Sequence, residues 1–128
     1  MRRLVDQTVT LLSRWNHRGF YQRGTKSQPI PMTKYFVYVI ETEDHTYYTG
    51  QTNDLLRRFK EHVARKSHSA SYFRMHPPKY LVYLEEVDSR AKALRRERQI
   101  KLHRRLKMSL IGSRRDLLEV IDSEASYK

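Results

Sequence analysis

Three short runs of apolar residues have the composition and spacing of β-strands. Residues 35–40 are β-branched or aromatic, residues 46–49 follow after a polar turn, and residues 80–84 repeat the pattern. The first two runs are close enough in the chain to pair as a hairpin. In that hairpin Tyr38 and Tyr48 would lie roughly opposite each other, where cross-strand Cβ atoms are about 5 Å apart.

Helical spacing of apolar residues follows the predicted hairpin. Thr52 or Asn53 offers an N-cap for a helix that ends at Arg65. The buried side of this helix would consist of Leu55, Leu56, Phe59 and Val63. Residues 67–78 show no such spacing and are predicted to form a loop.

A second long helix is predicted after the third strand. Asp88 or Ser89 can cap its first turn, and the helical pattern runs to about Lys101, with another short helix to Met108. Strands followed by helices, with a hairpin at the start, indicate an α+β fold. We expect a three-stranded, mainly antiparallel sheet flanked by helices.

The two ends of the chain carry weaker signals. Residues 1–18 have the spacing of an amphipathic helix, and a linker rich in glycine and proline follows them. Four interpretations of this segment stay open: a targeting peptide, a DNA-contacting arm, a docking helix, or a stretch upstream of a natural start at Met32. Ser113 with Asp116 forms a capping box before a last short helix, and the tail from Asp122 looks frayed.

The length of 128 residues corresponds to one domain with a single modest core. We therefore expect an N-terminal extension and linker over residues 1–33. One folded domain would follow over residues 34–108. A C-terminal short helix and a tail would occupy residues 109–128.

Charge is the strongest feature of the composition. The chain has 26 Lys and Arg against 14 Asp and Glu, a formal net charge of +12. This balance favours contact with a polyanion, either nucleic acid or, through residues 1–18, an anionic membrane surface, with a ribosomal or merely soluble basic protein as the alternative. No run of about 18 apolar residues exists, so no membrane span is expected. The absence of cysteine excludes disulfides, thiolate zinc sites and cysteine nucleophiles, and it fits a cytoplasmic location.

Helical geometry separates two side chains of the first helix from its ordinary surface charges. At about 100° per residue, Arg58 and His62 lie on one shoulder of the apolar stripe, whereas Arg57 points to water. The shoulder is the edge where the core meets the surface. A cleft can form there.

Glu97 is the unusual residue of the second helix. It falls in the middle of the apolar arc formed by Ala93, Ile100 and Leu94. A carboxylate that points into a core is unfavourable unless it is paired or bound to a metal. The geometry leaves two interpretations open, because Glu97 either pairs with Arg58 or a tyrosine hydroxyl, or is a metal ligand.

Basic residues surround this single acid. Their run is either a solvated face or a surface for a phosphate backbone. The candidate nucleic-acid contacts are Lys92, Arg95, Arg96, Arg98, Lys101, Arg104 and Arg105. Other histidines show no metal-ligand spacing and are expected at the surface, namely His17, His45, His68, His76 and His103.

An ordered set of residues resembles the GIY-YIG endonuclease family. Phe36-Val37-Tyr38 and, ten residues later, Tyr48-Thr49-Gly50 look like the two halves of that family's motif. Arg58 stands where the family places an arginine in a helix, and His62 stands at a position often occupied by histidine. Glu97 matches the family's metal-binding glutamate on a later helix. The length resembles the small stand-alone branch of the family.

The resemblance implies a nuclease that hydrolyses phosphodiester bonds in DNA, in repair or processing, with one divalent ion, Mg²⁺ or Mn²⁺, held by Glu97. Arg58 would bind the phosphate oxygens. Tyr38 and Tyr48 would position the attacking water, one of them as general base. That role needs positive charge nearby, because the reference pKa of tyrosine is ~10. His62 would assist proton transfer or hold a tyrosine.

A protein with this scaffold and the same basic face could instead bind DNA or RNA without cutting it. The presence of Tyr38, Tyr48, Arg58 and Glu97 together favours the enzyme. DNA is therefore the expected partner, while RNA and a further protein partner stay open. We expect a monomer or a weak dimer.

Overall fold

The computed structural model describes residues 34–66 and 69–125 of the chain. The predicted helix over residues 1–18 and the linker after it lie outside this part, as do His17 and His68. Within the described part, no helix has the length and the apolar character that a membrane span needs.

Four strands of the described chain form one antiparallel sheet in the order β2-β1-β3-β4. The strands are β1 (Tyr35–Thr42), β2 (Tyr47–Thr52), β3 (Pro78–Val87) and β4 (Arg115–Asp116). The α+β class and the hairpin are confirmed, but the expected number of three strands is wrong by one. Two residues of β4 are too few for an alternating pattern to show in the sequence.

Helices cover both faces of this sheet. The helices in the described ranges are α1 (Leu55–Ala64), α2 (Tyr72–Met75), α3 (Arg90–Leu102), α4 (Arg104–Leu110) and α5 (Leu117–Ala125). The two long helices are confirmed. The prediction of a loop over residues 67–78 is wrong where α2 forms and where β3 begins.

Each face of the sheet carries its own hydrophobic cluster. The first cluster packs against α1, α2 and α5, and it contains Phe36, Tyr38, Ile40, Leu55, Leu56, Phe59, Phe73, Leu81, Leu84, Leu117, Val120 and Ile121. The second lies beneath α3 and α4, and it contains Val37, Val39, Val82, Tyr83, Ala93 and Ile100. Successive side chains of β1 alternate between the two clusters, as strand geometry requires. The strand that carries Tyr38 is therefore buried on both sides.

Side-chain caps determine where the two long helices begin. Asp54 caps α1 by accepting a backbone N–H at 3.2 Å, so the predicted caps Thr52 and Asn53 are wrong. Ser89 caps α3 as predicted and accepts a backbone N–H at 3.1 Å. These caps place the helices that carry the candidate site residues.

The C-terminal helix α5 belongs to the folded core. Asp116 Oδ1 accepts two backbone N–H groups of α5, at 3.0 and 3.3 Å, and so takes the capping role predicted for Ser113. The helix continues past Asp122, and Glu124 is buried. The expectation of a frayed tail from Asp122 is therefore wrong as far as residue 125.

Candidate active site

The hairpin of β1 and β2 places both motif tyrosines on the face that packs against α1. Tyr38 pairs with Gly50, and Ile40 pairs with Tyr48. The tyrosines are therefore diagonal neighbours, and the prediction that they lie opposite each other is off by two residues. Their ring centroids are 6.4 Å apart.

Gly50 makes room for this arrangement. A Cβ at that position would lie 2.6 Å from the Tyr38 hydroxyl oxygen and 2.9 Å from Cε2 of Tyr48. A real Cβ essentially never lies that close to another non-bonded atom, so the Tyr38 ring occupies the space that a larger residue would need. The glycine of the motif is thus a packing requirement of the tyrosine.

His62 lies deep in the protein beside Tyr38. Its side chain has no solvent exposure, and its Nε2 is 2.7 Å from the Tyr38 hydroxyl oxygen. The predicted position on the shoulder of α1 is therefore too shallow. Phe73 of α2 covers the imidazole with ring centroids 4.6 Å apart, and Tyr48 packs against it at 5.5 Å.

Phe73 is a site-forming residue that the sequence analysis missed. It is fully buried, although it lies in the segment predicted to be a loop, and its ring centroid is 4.7 Å from that of Tyr48. The adjacent aromatic residues Tyr72 and Phe73 are the signal that indicates burial there, because large aromatic side chains are rarely left in water.

Burial determines the protonation of the two central groups. The pKa of Tyr38 is raised well above its usual range, first by removal from water and then by Tyr48, and the positive charge of Arg58 only partly offsets this. Burial also lowers the pKa of His62 to about 3, and Arg58 adds to that effect. Both groups are therefore uncharged at neutral pH.

The neutral His62 ring can accept a proton from Tyr38. Its Nε2 faces the Tyr38 hydroxyl, and no atom of the described residues hydrogen-bonds to its buried Nδ1. A neutral imidazole carries one proton. With that proton on Nδ1, Nε2 presents a lone pair to the tyrosine.

Arg58 extends from α1 toward the buried tyrosines. Its Nη1 donates to Glu61 Oε1 at 2.7 Å, and its positive charge acts on Tyr38, whose raised pKa it partly offsets. The side chain of Arg58 is 26% exposed, against 56% for Arg57. This difference confirms the predicted orientations, so Arg58 is the cation at the border between the tyrosines and solvent.

Glu97 approaches the same site from α3. Ala93 and Ile100 are buried against the sheet, but Leu94 is 42% exposed, so the predicted apolar arc is wrong at that residue. The side chain of Glu97 is 17% exposed and pairs with Lys101 Nζ at 3.2 Å. Glu97 is thus mostly shielded, though not fully buried.

The charge of Glu97 acts on Tyr38. It contributes to the raised pKa of the tyrosine, so the carboxylate lies within electrostatic range of the hydroxyl. The ion pair that Glu97 makes is with Lys101 on its own helix rather than with Arg58. The interpretation of Glu97 as a partner of Arg58 is therefore not supported.

The described residues offer a small donor set for a metal ion. No three His, Cys, Asp or Glu side chains among them lie close enough to hold an ion together. A single carboxylate such as Glu97 fits Mg²⁺, which keeps several waters and binds through one or two carboxylates together with substrate phosphates. It does not fit zinc, which needs at least three protein ligands.

The basic residues of α3 and α4 differ in how far the fold uses them. Lys92 pairs with Asp88 at 3.1 Å, and Arg96 Nε donates to Glu85 Oε1 at 2.9 Å. Among the basic residues of these two helices, the exposed side chains that make no hydrogen bond or ion pair with another described residue are Arg90, Arg95, Arg98, Arg104 and Arg105. An open pocket of about 640 Å³ is bordered by Lys92, Arg95, Arg96 and Arg98. The uncompensated guanidinium groups are available to a polyanion.

Comparison with known proteins adds the family. The family model described as the GIY-YIG catalytic domain matches residues 34–109, which include every candidate catalytic residue. The UPF0213 protein of Syntrophus aciditrophicus is 43% identical over 81 residues, which is 62% of this chain and 92% of that protein. The UPF0213 protein of Halobacterium salinarum is 49% identical over 65 residues, which is 51% of this chain and 82% of that protein.

Two further relatives have the same description. The UPF0213 protein of Staphylococcus haemolyticus is 37% identical over 84 residues, which is 65% of this chain and 100% of that protein. The solution NMR structure of the UPF0213 protein from Bacillus halodurans is 37% identical, with coverage of 60% of this chain and 81% of that one and a TM-score of 0.39. The descriptions of these proteins state no activity.

Proposed function

The chain belongs to the GIY-YIG catalytic domain family, a family of endonucleases, and on that premise we propose that it is a metal-dependent endonuclease that hydrolyses phosphodiester bonds in DNA, in repair or processing. The observation that best supports this proposal is the buried contact between the hydroxyl of Tyr38 and His62, with Tyr48 packed beside both rings. The Tyr38 oxygen is 2.7 Å from His62 Nε2 and within electrostatic range of Arg58, Tyr48 and Glu97.

Hydrolysis of a phosphodiester meets three obstacles. The phosphate anion repels nucleophiles, the attacking water must lose a proton, and the leaving oxygen must be stabilised as charge builds on it. Groups that are held in place before the reaction and aimed at the developing charge lower this barrier most. The site contains a candidate for each task.

Arg58 is the group for the phosphate. Its planar guanidinium can donate two parallel hydrogen bonds to non-bridging oxygens, and these bonds strengthen as charge develops in the transition state. The side chain already lies at the border with solvent, 26% exposed. The Tyr38 hydroxyl is fully buried without substrate, so the proposal requires that binding of the phosphate moves the guanidinium and lets water reach it.

Tyr38 and His62 provide a route for the proton of the attacking water. The Tyr38 hydroxyl accepts the water proton while it passes its own proton to His62 Nε2, 2.7 Å away. No phenolate has to accumulate, which matters because burial raises the pKa of Tyr38. The bound phosphate would offset the positive charge of Arg58, which otherwise disfavours the protonated imidazole. Tyr48 packs against the same ring and holds it in place.

Glu97 is the residue that would hold the divalent ion, Mg²⁺ or Mn²⁺. GIY-YIG nucleases generally use such an ion, and one ion supplies charge neutralisation at the phosphate and at the leaving oxygen. In the absence of substrate, Lys101 compensates the carboxylate at 3.2 Å.

Cleavage of a panel of labelled DNAs (single-stranded, duplex, flap and branched) with Mg²⁺, Mn²⁺ or EDTA tests the proposal. Glu97→Ala should abolish cleavage and leave DNA binding nearly intact, because the change removes a metal ligand and no positive charge. Glu119→Ala is the matched control, since Glu119 is an exposed carboxylate on α5, and it should cleave like the wild type.

Cleavage that survives in Glu97→Ala would contradict the assignment of the metal ligand. Salt-sensitive binding without cleavage of any DNA by the wild-type protein would overturn the nuclease proposal. That second result would favour the non-catalytic DNA-binding or RNA-binding module on the same scaffold.

A further inference from the structure

A polar pocket, separate from the open pocket on α3, adjoins the candidate active site. It has a volume of about 380 Å³, and its walls come from the start of β1, the end of β2 and the first turns of α1 and α3. The lining residues that give it its chemistry are Tyr35, Gln51, Asn53, Arg57, Arg58 and Arg90. Arg58 belongs to both places, so a ligand that it binds at the active site can extend into this pocket.

The charge of the pocket is positive and is concentrated on one residue. Arg57 is compensated by Asp54 at 3.5 Å and by Glu61 at 3.0 Å, and Arg58 shares Glu61 at 2.7 Å. Arg90 is exposed and makes no ion pair with another residue in the ranges that the structure describes. Of the three guanidinium groups that line the pocket, that of Arg90 is therefore the one with no carboxylate partner among the described residues.

Two amide side chains complete the lining. Gln51 follows Gly50 on β2 and is partly buried, and Asn53 lies just beyond the strand and is exposed. Neither side chain hydrogen-bonds to another residue in the described part of the chain, so no contact within that part occupies their amide groups. A carboxamide offers one acceptor and two donors, which is the pattern that reads the edge of a nucleic-acid base.

The size and the position of the pocket suit one nucleotide. Its volume lies within the roughly 300–1,000 Å³ of ordinary small-ligand sites. When Arg58 holds the scissile phosphate of a nucleic-acid strand, the neighbouring nucleotide has to lie beside Arg58. The pocket is one place beside Arg58 that can take it. Tyr35 at the wall adds an aromatic surface of the kind on which bases stack.

We infer that this pocket binds the nucleotide next to the scissile phosphate, with Arg90 on the phosphate of that nucleotide and the amides of Gln51 and Asn53 on the edge of its base. The inference rests on the proposed nuclease function. It gives Arg90 a role separate from the basic residues that follow it on α3. It also makes the pocket a source of base preference at one position of the substrate.

Affinity for labelled DNA in EDTA, where no cleavage interferes, tests the phosphate contact. Arg90→Ala should weaken binding about tenfold and should reduce the slope of log affinity against log salt by about 1, because one charged contact is lost. Lys79→Ala removes an equal charge at the opposite end of the sheet and should leave both quantities nearly unchanged. An Arg90→Ala protein that binds like Lys79→Ala would overturn the phosphate contact.

The base contact is tested by replacing both amides. Gln51→Ala combined with Asn53→Ala should weaken DNA binding severalfold without a change of the salt slope, since neutral side chains release no counterions. In NMR spectra of the labelled protein, the side-chain NH₂ signals of Gln51 and Asn53 should shift on addition of deoxyadenosine 5′-monophosphate and stay in place with deoxyribose 5-phosphate. Signals that the nucleotide does not move would overturn the base contact.

The two proposals can fail separately. A clear effect of Arg90→Ala on binding, in a protein that never cleaves, would support the pocket and contradict the nuclease. Cleavage by the wild type with unaltered binding by Arg90→Ala would contradict the pocket and leave the nuclease proposal standing.

Discussion

At the scale of residues, the site is organised around two uncharged groups, Tyr38 and His62, that meet at 2.7 Å inside the protein. Removal from water keeps the tyrosine protonated and the imidazole neutral. Phe73 and Tyr48 maintain this state by covering the imidazole ring. Acid is therefore expected to act on the fold through this histidine.

Stability should fall as the pH is lowered, because His62 resists protonation in the folded protein. Its pKa is about 3 when folded and about 6.5 in an unfolded chain. Between these values only the unfolded state binds the proton, so the stabilising contribution is complete above the unfolded pKa and is lost progressively toward the folded pKa. The free energy of unfolding should drop by about 2 kcal/mol from pH 7 to pH 5 through this residue.

Denaturant unfolding at the two pH values checks this expectation. His62→Phe retains an aromatic ring of similar size but cannot titrate, so this variant should lose the drop. His103→Gln removes an exposed histidine and should keep it. A wild-type protein that is equally stable at both pH values would contradict the assignment.

The sequence predicted the direction in which a side chain points from its helix, but it did not predict how deeply that side chain is buried. Helical spacing separated Arg58 from Arg57, because orientation around a helix depends on local periodicity alone. The burial of His62 depends on Phe73, which lies in a different element and in a segment without periodicity. The same limit explains Leu94, since a helical wheel places it beside Glu97 but does not show how far the sheet extends.

At the scale of elements, the site is assembled from both faces of one sheet. β1 supplies Tyr38, and α1 supplies Arg58 and His62 on the same face. α3 packs on the other face, yet Glu97 acts on Tyr38. The position of α3 therefore controls where the carboxylate lies.

Loss of the N-cap of α3 should affect stability and catalysis together. Ser89→Ala removes the acceptor that lies 3.1 Å from a backbone N–H, and it should lower the free energy of unfolding by about 1 kcal/mol. The rate of DNA cleavage should also fall, because a frayed first turn lets α3 move and displaces Glu97. Thermal unfolding and the cleavage assay measure the two effects.

Ser113→Ala is the control for the capping change. The cap predicted for Ser113 is made by Asp116, so its hydroxyl should matter little to α5. Stability losses of equal size in the two serine variants would show that the cap of α3 has been assigned wrongly.

Elements with a local signal were predictable, and elements defined by their partners were not. The start of α3 follows from a serine in front of a helical pattern. β4 exists because Arg115 and Asp116 pair with Leu81 and Tyr80 of β3. No local pattern in the sequence predicts this pairing. α2 is a single turn, and its one buried side chain, Phe73, belongs to the hydrophobic cluster between the sheet and α1.

At the scale of the whole molecule, the chain has 26 basic residues against 14 acidic residues. These basic residues differ in whether a carboxylate of the protein already neutralises them. Some of the charge is consumed within the fold, as in the pair of Arg96 with Glu85. Composition predicted a polyanionic partner, but it could not show which cations remain free, because Glu85 is distant from Arg96 in the sequence. Arg104 and Arg105 are exposed and have no ion pair with another described residue.

The basic face of α3 and α4 should give DNA binding its salt dependence. Arg104→Ala combined with Arg105→Ala should weaken duplex binding and reduce the slope of log affinity against log salt by about 2, since each phosphate contact contributes about 0.9. Fluorescence anisotropy at several salt concentrations measures the slope.

Arg74→Ala combined with Lys79→Ala removes the same charge from exposed positions outside this face. This control should change the slope much less. Equal slopes in the two double variants would show that DNA responds to the total charge of the protein rather than to a defined surface.

The close approach of the Tyr38 ring to Gly50 bears on how proteins of this kind can be classified. Gly50 is needed because any larger residue would collide with the Tyr38 ring. A related protein without nuclease activity would therefore still need this glycine as long as the Tyr38 ring kept its position. Replacement of Glu97, which is mostly shielded but is not part of either hydrophobic cluster, should disturb the packing far less. If Glu97 holds the metal ion as proposed, a survey of genomes by the tyrosine-and-glycine signature would collect active nucleases and inactive descendants alike, and the acid on α3 would distinguish them.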